Sequence, residues 1–270
     1  MILTFYNELF SQHRLALAAA AAILGLFIGS FLNVVGIRLP RGQSVVKPPS
    51  HCPSCKHRLA ILDLVPVFSY IVLRGKCRYC KIRFSPLYAL VEALTAVVFG
   101  FAAWHFGWTP ELAAALTLAA LLIAAALGDL LYRIIPNRLV YFGVFVGVLL
   151  RILIQPLPLW NYAAALLIGF GLLYTVAVAG ERLLRKESMG GGDIKLFAML
   201  GLYLGIGNVL LALFLASLFG LLAGIVAIRA RRDQADRYIP FGPFIALGAY
   251  AAYVWGDAII SGYTSLLGWR

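Results

Sequence analysis

IKLFAMLGLYLGIGNVLLALFLASLFGLLAGIVAI (194–228) carries a single charged residue, Lys195, in 35 positions. As one straight helix it would be about 52 Å long at about 1.5 Å per residue, against a hydrocarbon layer of about 30 Å. Gly205-Ile206-Gly207-Asn208 interrupts it with a turn signal. The run therefore reads as two helices, a short one and a normal one. The same rule finds apolar runs of spanning length at 15–37, 85–106, 112–131, 139–157, 162–180 and 244–263. Together they predict an all-α fold, a polytopic membrane helix bundle of about eight transmembrane helices.

Composition agrees. The chain is 62% apolar and 13% charged, with mean hydropathy +0.90, where a soluble domain is about half apolar and a quarter charged. The net charge of +12 does not point to nucleic acid, because no basic repeat is interleaved with aromatic residues. Basic residues instead mark a side of the membrane. With an even number of spans and both termini outside, segments 38–84, 132–138, 181–195 and 229–243 are inside. They hold 20 of the 23 Lys and Arg; Arg14, Arg151 and Arg270 are left outside. The N-terminus has neither a basic n-region nor a cleavage site, so 15–37 reads as a retained span, preceded by a short interfacial segment.

The predicted organisation is thus an N-terminal segment with the first span (1–37), a cytosolic module (38–84) and a transmembrane core (85–270). The module is too small to bury much core unaided. It contains all four cysteines, as HCPSCKH and GKCRYC. Cys52-x-x-Cys55 and Cys77-x-x-Cys80, 21 residues apart, fit a closed four-thiolate structural zinc site. Disulfides do not persist on the cytosolic side. His51 and His57 flank the first pair and read as surface residues.

Among the acidic residues, Asp63, Glu181, Glu187, Asp233 and Asp236 fall in inner loops, where solvation or an ordinary ion pair is the default. Glu92, Asp129 and Asp193 lie in or beside spans, where a carboxylate is costly and a candidate functional group. Span parity puts Asp129 (in GDLLYRIIPN) and Asp193 (in GGGDIK) at one membrane face. Two carboxylates that meet cannot both ionise. One can then activate water while the other hydrogen-bonds a scissile carbonyl, without a metal. The bland alternatives are helix caps or pairing with Arg133 and Lys195. Gly190, Gly191 and Gly192 would let an extended substrate backbone approach Asp193.

GGGDIKLFAMLG, GDLLYRIIPN and the cysteine loop resemble the bacterial type IV prepilin peptidases, membrane aspartic proteases with a GxGD element. GSFLNVVGIRLPRG (29–42), SPLYALVEALTA (85–96) and IPFGPFIALGA (239–249) extend the resemblance over nearly the whole chain. It implies an inner-membrane enzyme with both termini periplasmic and its active site at the cytosolic face. By that resemblance Asp129 and Asp193 are the catalytic pair. The substrate would be a type IV prepilin or a type II secretion pseudopilin, whose leader is removed and whose new N-terminus is then methylated by S-adenosylmethionine. No glycine-rich cofactor fingerprint follows a strand. The methyl-donor residues stay unassigned, and the resemblance points only to the first cytosolic loop and its adjoining helix ends. Glu92 belongs either to that site or to an internal hydrogen bond. Rival readings are a proton- or ion-coupled transporter using the same aspartates and a non-catalytic assembly scaffold.

Overall fold

A computed structural model describes residues 2–185, 189–230 and 240–268, and the side chains of these except at 2–12, 184, 228 and 230. Glu187, Asp233 and Asp236 lie outside the described residues. Eight α-helices follow one another: α1 (Ile2–Arg38), α2 (Phe68–Val72), α3 (Leu87–Phe106), α4 (Pro110–Tyr132), α5 (Asn137–Leu153), α6 (Leu159–Leu184), α7 (Gly191–Ala230) and α8 (Gly242–Leu266). A 3-10 turn covers Ile61–Leu64. The described residues hold no strand, only two isolated bridges. Among the described residues, six helices are long and apolar enough to cross a membrane, and Phe27, Leu94, Leu167, Phe214 and Leu247 are exposed along them. Exposed apolar side chains on long helices suit lipid as solvent. The protein is a multi-pass membrane protein.

The eight expected spans map onto seven helices. α7 contains two of them, joined across Gly205, whose φ of 74° and ψ of 175° are not helical. The α5 span was expected over 139–157, but the helix ends at Leu153, because Pro156 and Pro158 follow. A residue before proline is driven out of the helical region. At 17 residues α5 falls short of a full span.

The chain divides into two compact units, Met1–Ala124 and Ala125–Arg270. In the first, α1 packs along α3. A methyl group added at Gly25 would lie 2.8 Å from the Ala96 backbone, and one at Gly29 2.7 Å from the Glu92 Cα. Farther along, Gly100 of α3 faces Ala18 and Ala22. Rising numbers on α3 thus meet falling numbers on α1, so the two run antiparallel. Small residues let the backbones close up where lipid supplies no hydrophobic drive between helices.

In the second unit α7 packs against α5, α6 and α8. Its break needs polar partners, because a helix interrupted in lipid frees backbone groups. Arg151 supplies them. Its guanidinium donates from Nη2 to the Tyr203 carbonyl at 2.7 Å and from Nε to that of Leu202 at 3.3 Å, and it lies 4.9 Å over the Tyr162 ring. Beyond the break, the Ile206 N–H donates to Asn161 Oδ1 at 3.0 Å. Arg151, expected outside the bilayer as a topology charge, is 2% exposed.

Candidate active site and metal centre

Asp129 stands near the end of α4, which closes at Arg133 with a left-handed φ of 56°. Its Oδ2 accepts the N–H of Gly242, the first residue of α8, at 2.7 Å. A Cβ on Gly242 would lie 2.8 Å from both the Cβ and Oδ2 of Asp129, so this approach requires glycine. Asp193 lies in the first turn of α7, and its N–H donates to the Gly190 carbonyl at 3.1 Å. Both carboxylates are buried, at 6% and 5% exposure. Each therefore sits at a helix N-terminus, Asp129 against α8 and Asp193 on α7. The positive end of the helix dipole and the free N–H groups there favour negative charge. Asp193 lies within electrostatic reach of Asp129, and Arg133 acts on Asp129 from one turn on. Lys195 is turned to Asn137 Oδ1 at 3.0 Å.

The three glycines differ in role. None of Gly190, Gly191 and Gly192 has a positive φ, so glycine's freedom of backbone angle is not what the loop uses. At Gly192 an added Cβ would lie 3.0 Å from Ile135 Cβ; glycine here lets the start of α7 close on the turn after α4. Among the described residues, it would meet nothing within 4 Å at Gly191, and at Gly190 only Asp193 Oδ2 at 3.6 Å. Space beside the carboxylate is left open at these two positions.

The cysteine module is built from a repeat that the CxxC spacing alone understates. HCPSCKHR (51–58) and KCRYCKIR (76–83) share C-x-x-C-K-x-R, and their backbones match. In the first, Cys52 N–H donates to the His57 carbonyl and Lys56 N–H to that of Cys52; in the second, Cys77 donates to Ile82 and Lys81 to Cys77. Lys56 and Lys81 turn each knuckle at φ 58° and 60°. The four Sγ atoms lie within 4.8 Å of one another, with Cys52 and Cys80 at 3.7 Å. Ligands about 2.3 Å from a tetrahedral zinc stand about 3.8 Å apart, so the set is positioned to hold a metal. Burial alone would raise the Cys52 thiol, but backbone N–H groups of Cys55 and Ser54 outweigh it and draw it down to about 7. The His57 and Tyr79 rings, 3.7 Å apart, also join the knuckles, and Arg78 Nε holds the second knuckle to Asp63 Oδ1 of the 3-10 turn at 2.6 Å.

A third feature gathers residues that lie far apart in the sequence. Within the first unit, a cavity of about 740 Å³ lies between the knuckles and the facing ends of α1 and α3. Tyr70, Tyr88, Asn33 and Glu92 line it, with a basic rim that includes Arg38, Lys47 and Lys76. Glu92 is 9% exposed and accepts the Val67 N–H at 2.7 Å, a partner in the cysteine module and not within the helix bundle. Asn33 Nδ2 donates to the Tyr88 carbonyl at 3.0 Å, while its Oδ1 is buried without a partner.

Two family models divide the chain between them. The bacterial peptidase A24 N-terminal domain matches residues 23–106, and the type IV leader peptidase family matches 116–225. The chain belongs to the type IV leader peptidase family. It is 38% identical to the prepilin leader peptidase/N-methyltransferase of Bacillus subtilis, over 90% of this chain and 96% of that protein. The proteins of the same name from Pseudomonas aeruginosa and Neisseria gonorrhoeae are 33% and 32% identical. Those alignments cover 96% and 88% of this chain and 98% and 91% of the relatives. No solved structure matches the chain significantly. The second family model spans both Asp129 and Asp193, and the first spans the cysteine module and Glu92.

Proposed function

We propose that this membrane enzyme removes the leader of a type IV prepilin or pseudopilin at Asp129 and Asp193, then methylates the new N-terminus. The observation that carries the first step is two buried carboxylates, each against a helix N-terminus and within electrostatic reach of one another. A shared site keeps one ionised and one protonated. The ionised group takes a proton from water, and the protonated one hydrogen-bonds the scissile carbonyl as negative charge develops on its oxygen. The same proton then passes to the leaving amine. The open positions at Gly190 and Gly191 admit the substrate backbone. The site faces the cytosol of the inner membrane, with both termini periplasmic; the distribution of Lys and Arg supports that orientation. A transporter or a passive scaffold is not favoured by family membership.

The four thiolates of Cys52, Cys55, Cys77 and Cys80 would hold zinc. A closed sulfur site is structural; here it would fasten the two knuckles into one wall. The cavity beside it suits S-adenosylmethionine. Its volume falls within the range of about 300–1,000 Å³ typical of small-molecule sites. It offers aromatic rings, and Asn33 Oδ1 is an acceptor with nothing to accept. Bound there, the group would supply an electrophilic methyl, and the residues lining the cavity would hold it in one orientation. The test is incubation of the purified chain with a prepilin in detergent, with and without S-adenosylmethionine, followed by product mass. Leader loss and a one-methyl gain are expected from the wild type. Asp129→Asn and Asp193→Asn should leave the precursor intact, and normal cleavage by either overturns the dyad.

A further inference from the structure

The cavity in the first unit has a basic rim and an acidic exception. Two carboxylates line it, Asp63 and Glu92. Asp63 is already bound to Arg78. Glu92 accepts the neutral Val67 N–H, and among the described residues it makes no ion pair. A nearly buried carboxylate held only by neutral donors is ionised at low cost only when a cation is supplied. Asn33, on the facing helix, adds a second acceptor. Its donor end is fixed by the Tyr88 carbonyl, which can only accept, so the orphan atom is the oxygen. Two acceptors, one of them anionic, at the helix-end floor of an otherwise basic cavity select a ligand whose positive end points inward. An anionic end would then meet the rim.

We infer that Glu92 and Asn33 form a charge-reading floor that holds the sulfonium-bearing end of the methyl donor. This rests on the cavity being the methyl-donor site. It also gives a use to the product: once the methyl has left, the sulfur is a neutral thioether. The floor then loses its cation, and the spent donor is released. The transfer forms an N–C bond and breaks an S–C bond; the amine's proton leaves to solvent.

Glu92 has a second role from which this must be separated, because it caps Val67, whose φ of 60° is unusual for a β-branched residue. Two substitutions pull the roles apart. Glu92→Gln keeps a carbonyl oxygen for the Val67 N–H and removes the charge. Glu92→Asp keeps the charge and shortens the reach to Val67. The measurement is equilibrium binding by titration calorimetry of S-adenosylmethionine and S-adenosylhomocysteine to the purified full chain, with metal content as the check on folding. Wild type should prefer the sulfonium. Glu92→Gln should weaken S-adenosylmethionine about tenfold or more while changing S-adenosylhomocysteine less than about twofold, the scale of one charge-assisted contact. Glu92→Asp should keep the preference. The reverse ranking, or no change in either variant, overturns the inference and leaves Glu92 as the cap of α2. Failure of the wild type to bind either probe overturns the cavity reading itself.

Discussion

Gly242→Ala should cripple cleavage while leaving both catalytic carboxylates in the sequence. The new Cβ would lie 2.8 Å from Asp129 Cβ and Oδ2 and 3.0 Å from Cγ. Ordinary contact begins at 3.4 Å, so the two groups must separate by about 0.6 Å or more. Rotation about χ1 cannot relieve this, because one of the atoms struck is the Asp129 Cβ, which only the backbone of α4 can move. The same shift stretches the 2.7 Å bond from the Gly242 N–H that orients the carboxylate. Catalytic groups tolerate about 0.5 Å of misplacement, and 1 Å costs on the order of 100-fold. The expected loss in kcat is therefore about 10- to 100-fold, with KM for prepilin close to wild type. Overpacking of this kind also costs about 1–3 kcal/mol of stability, so kcat is to be read from the folded, detergent-purified fraction. Gly191→Ala is the matched control. Among the described residues its added methyl meets nothing within 4 Å, and only a bound substrate can feel it, so KM should rise rather than kcat fall. A folded Gly242→Ala enzyme with kcat within about twofold of wild type would refute the placement of Asp129 as a geometrically constrained catalytic group.

Asp129→Asn and Asp193→Asn should each abolish leader removal. The double variant should be no worse than either, as for groups that act as a unit; product mass reads this directly. Metal analysis should find about one zinc per chain, and Cys→Ser at Cys52, Cys55, Cys77 or Cys80 should lower methylation more than cleavage, measured on a pre-cleaved and an uncleaved pilin. Arg78 holds the Asp63 carboxyl below its usual range against the opposing effect of burial. A depressed carboxylate stabilises above its unfolded value of about 3.9 and loses that contribution as pH falls through the folded one. Asp63→Asn should therefore speed zinc extraction by a chelator at neutral pH, and its difference from wild type should close only in strong acid. Arg151→Met should lower the thermal midpoint, since two buried carbonyls lose their donor, at about 1–3 kcal/mol each.

The helical architecture was legible because lipid demands long apolar runs, and length and composition report them directly. The break in 194–228 was legible too, since Gly205 takes a backbone angle that few other residues accept. The end of α5 was harder to read, because the run stays apolar at Ile154 and Leu157 while Pro156 and Pro158 stop the helix at Leu153. Asp129 and Asp193 could be singled out as carboxylates out of place, but not their setting. The Gly242 N–H that meets Asp129 comes from 113 residues away, a relation no local pattern carries. Gly192 was read as room for a substrate, whereas it is closed upon by Ile135. The cavity was illegible for the same reason: Glu92 stands out as a carboxylate in a span, but it shares a cavity with Asn33 only once α1 and α3 pack.

The guanidinium bound to the end of the first half of α7 bears on how the chain enters its bilayer. Arg151 is synthesised some 50 residues before the carbonyls that receive it. Until α7 arrives, α5 is a 17-residue segment with an arginine in its last turn, and a lone arginine costs up to about 2.5–3.5 kcal/mol as a helix inserts, the most at mid-depth. Such a segment is poorly suited to partition alone. Its retention would come from the later helix, so biogenesis of this unit is expected to be cooperative. A nascent chain truncated before Leu202 should leave α5 loosely held, and one extended past Asn208 should lock it in.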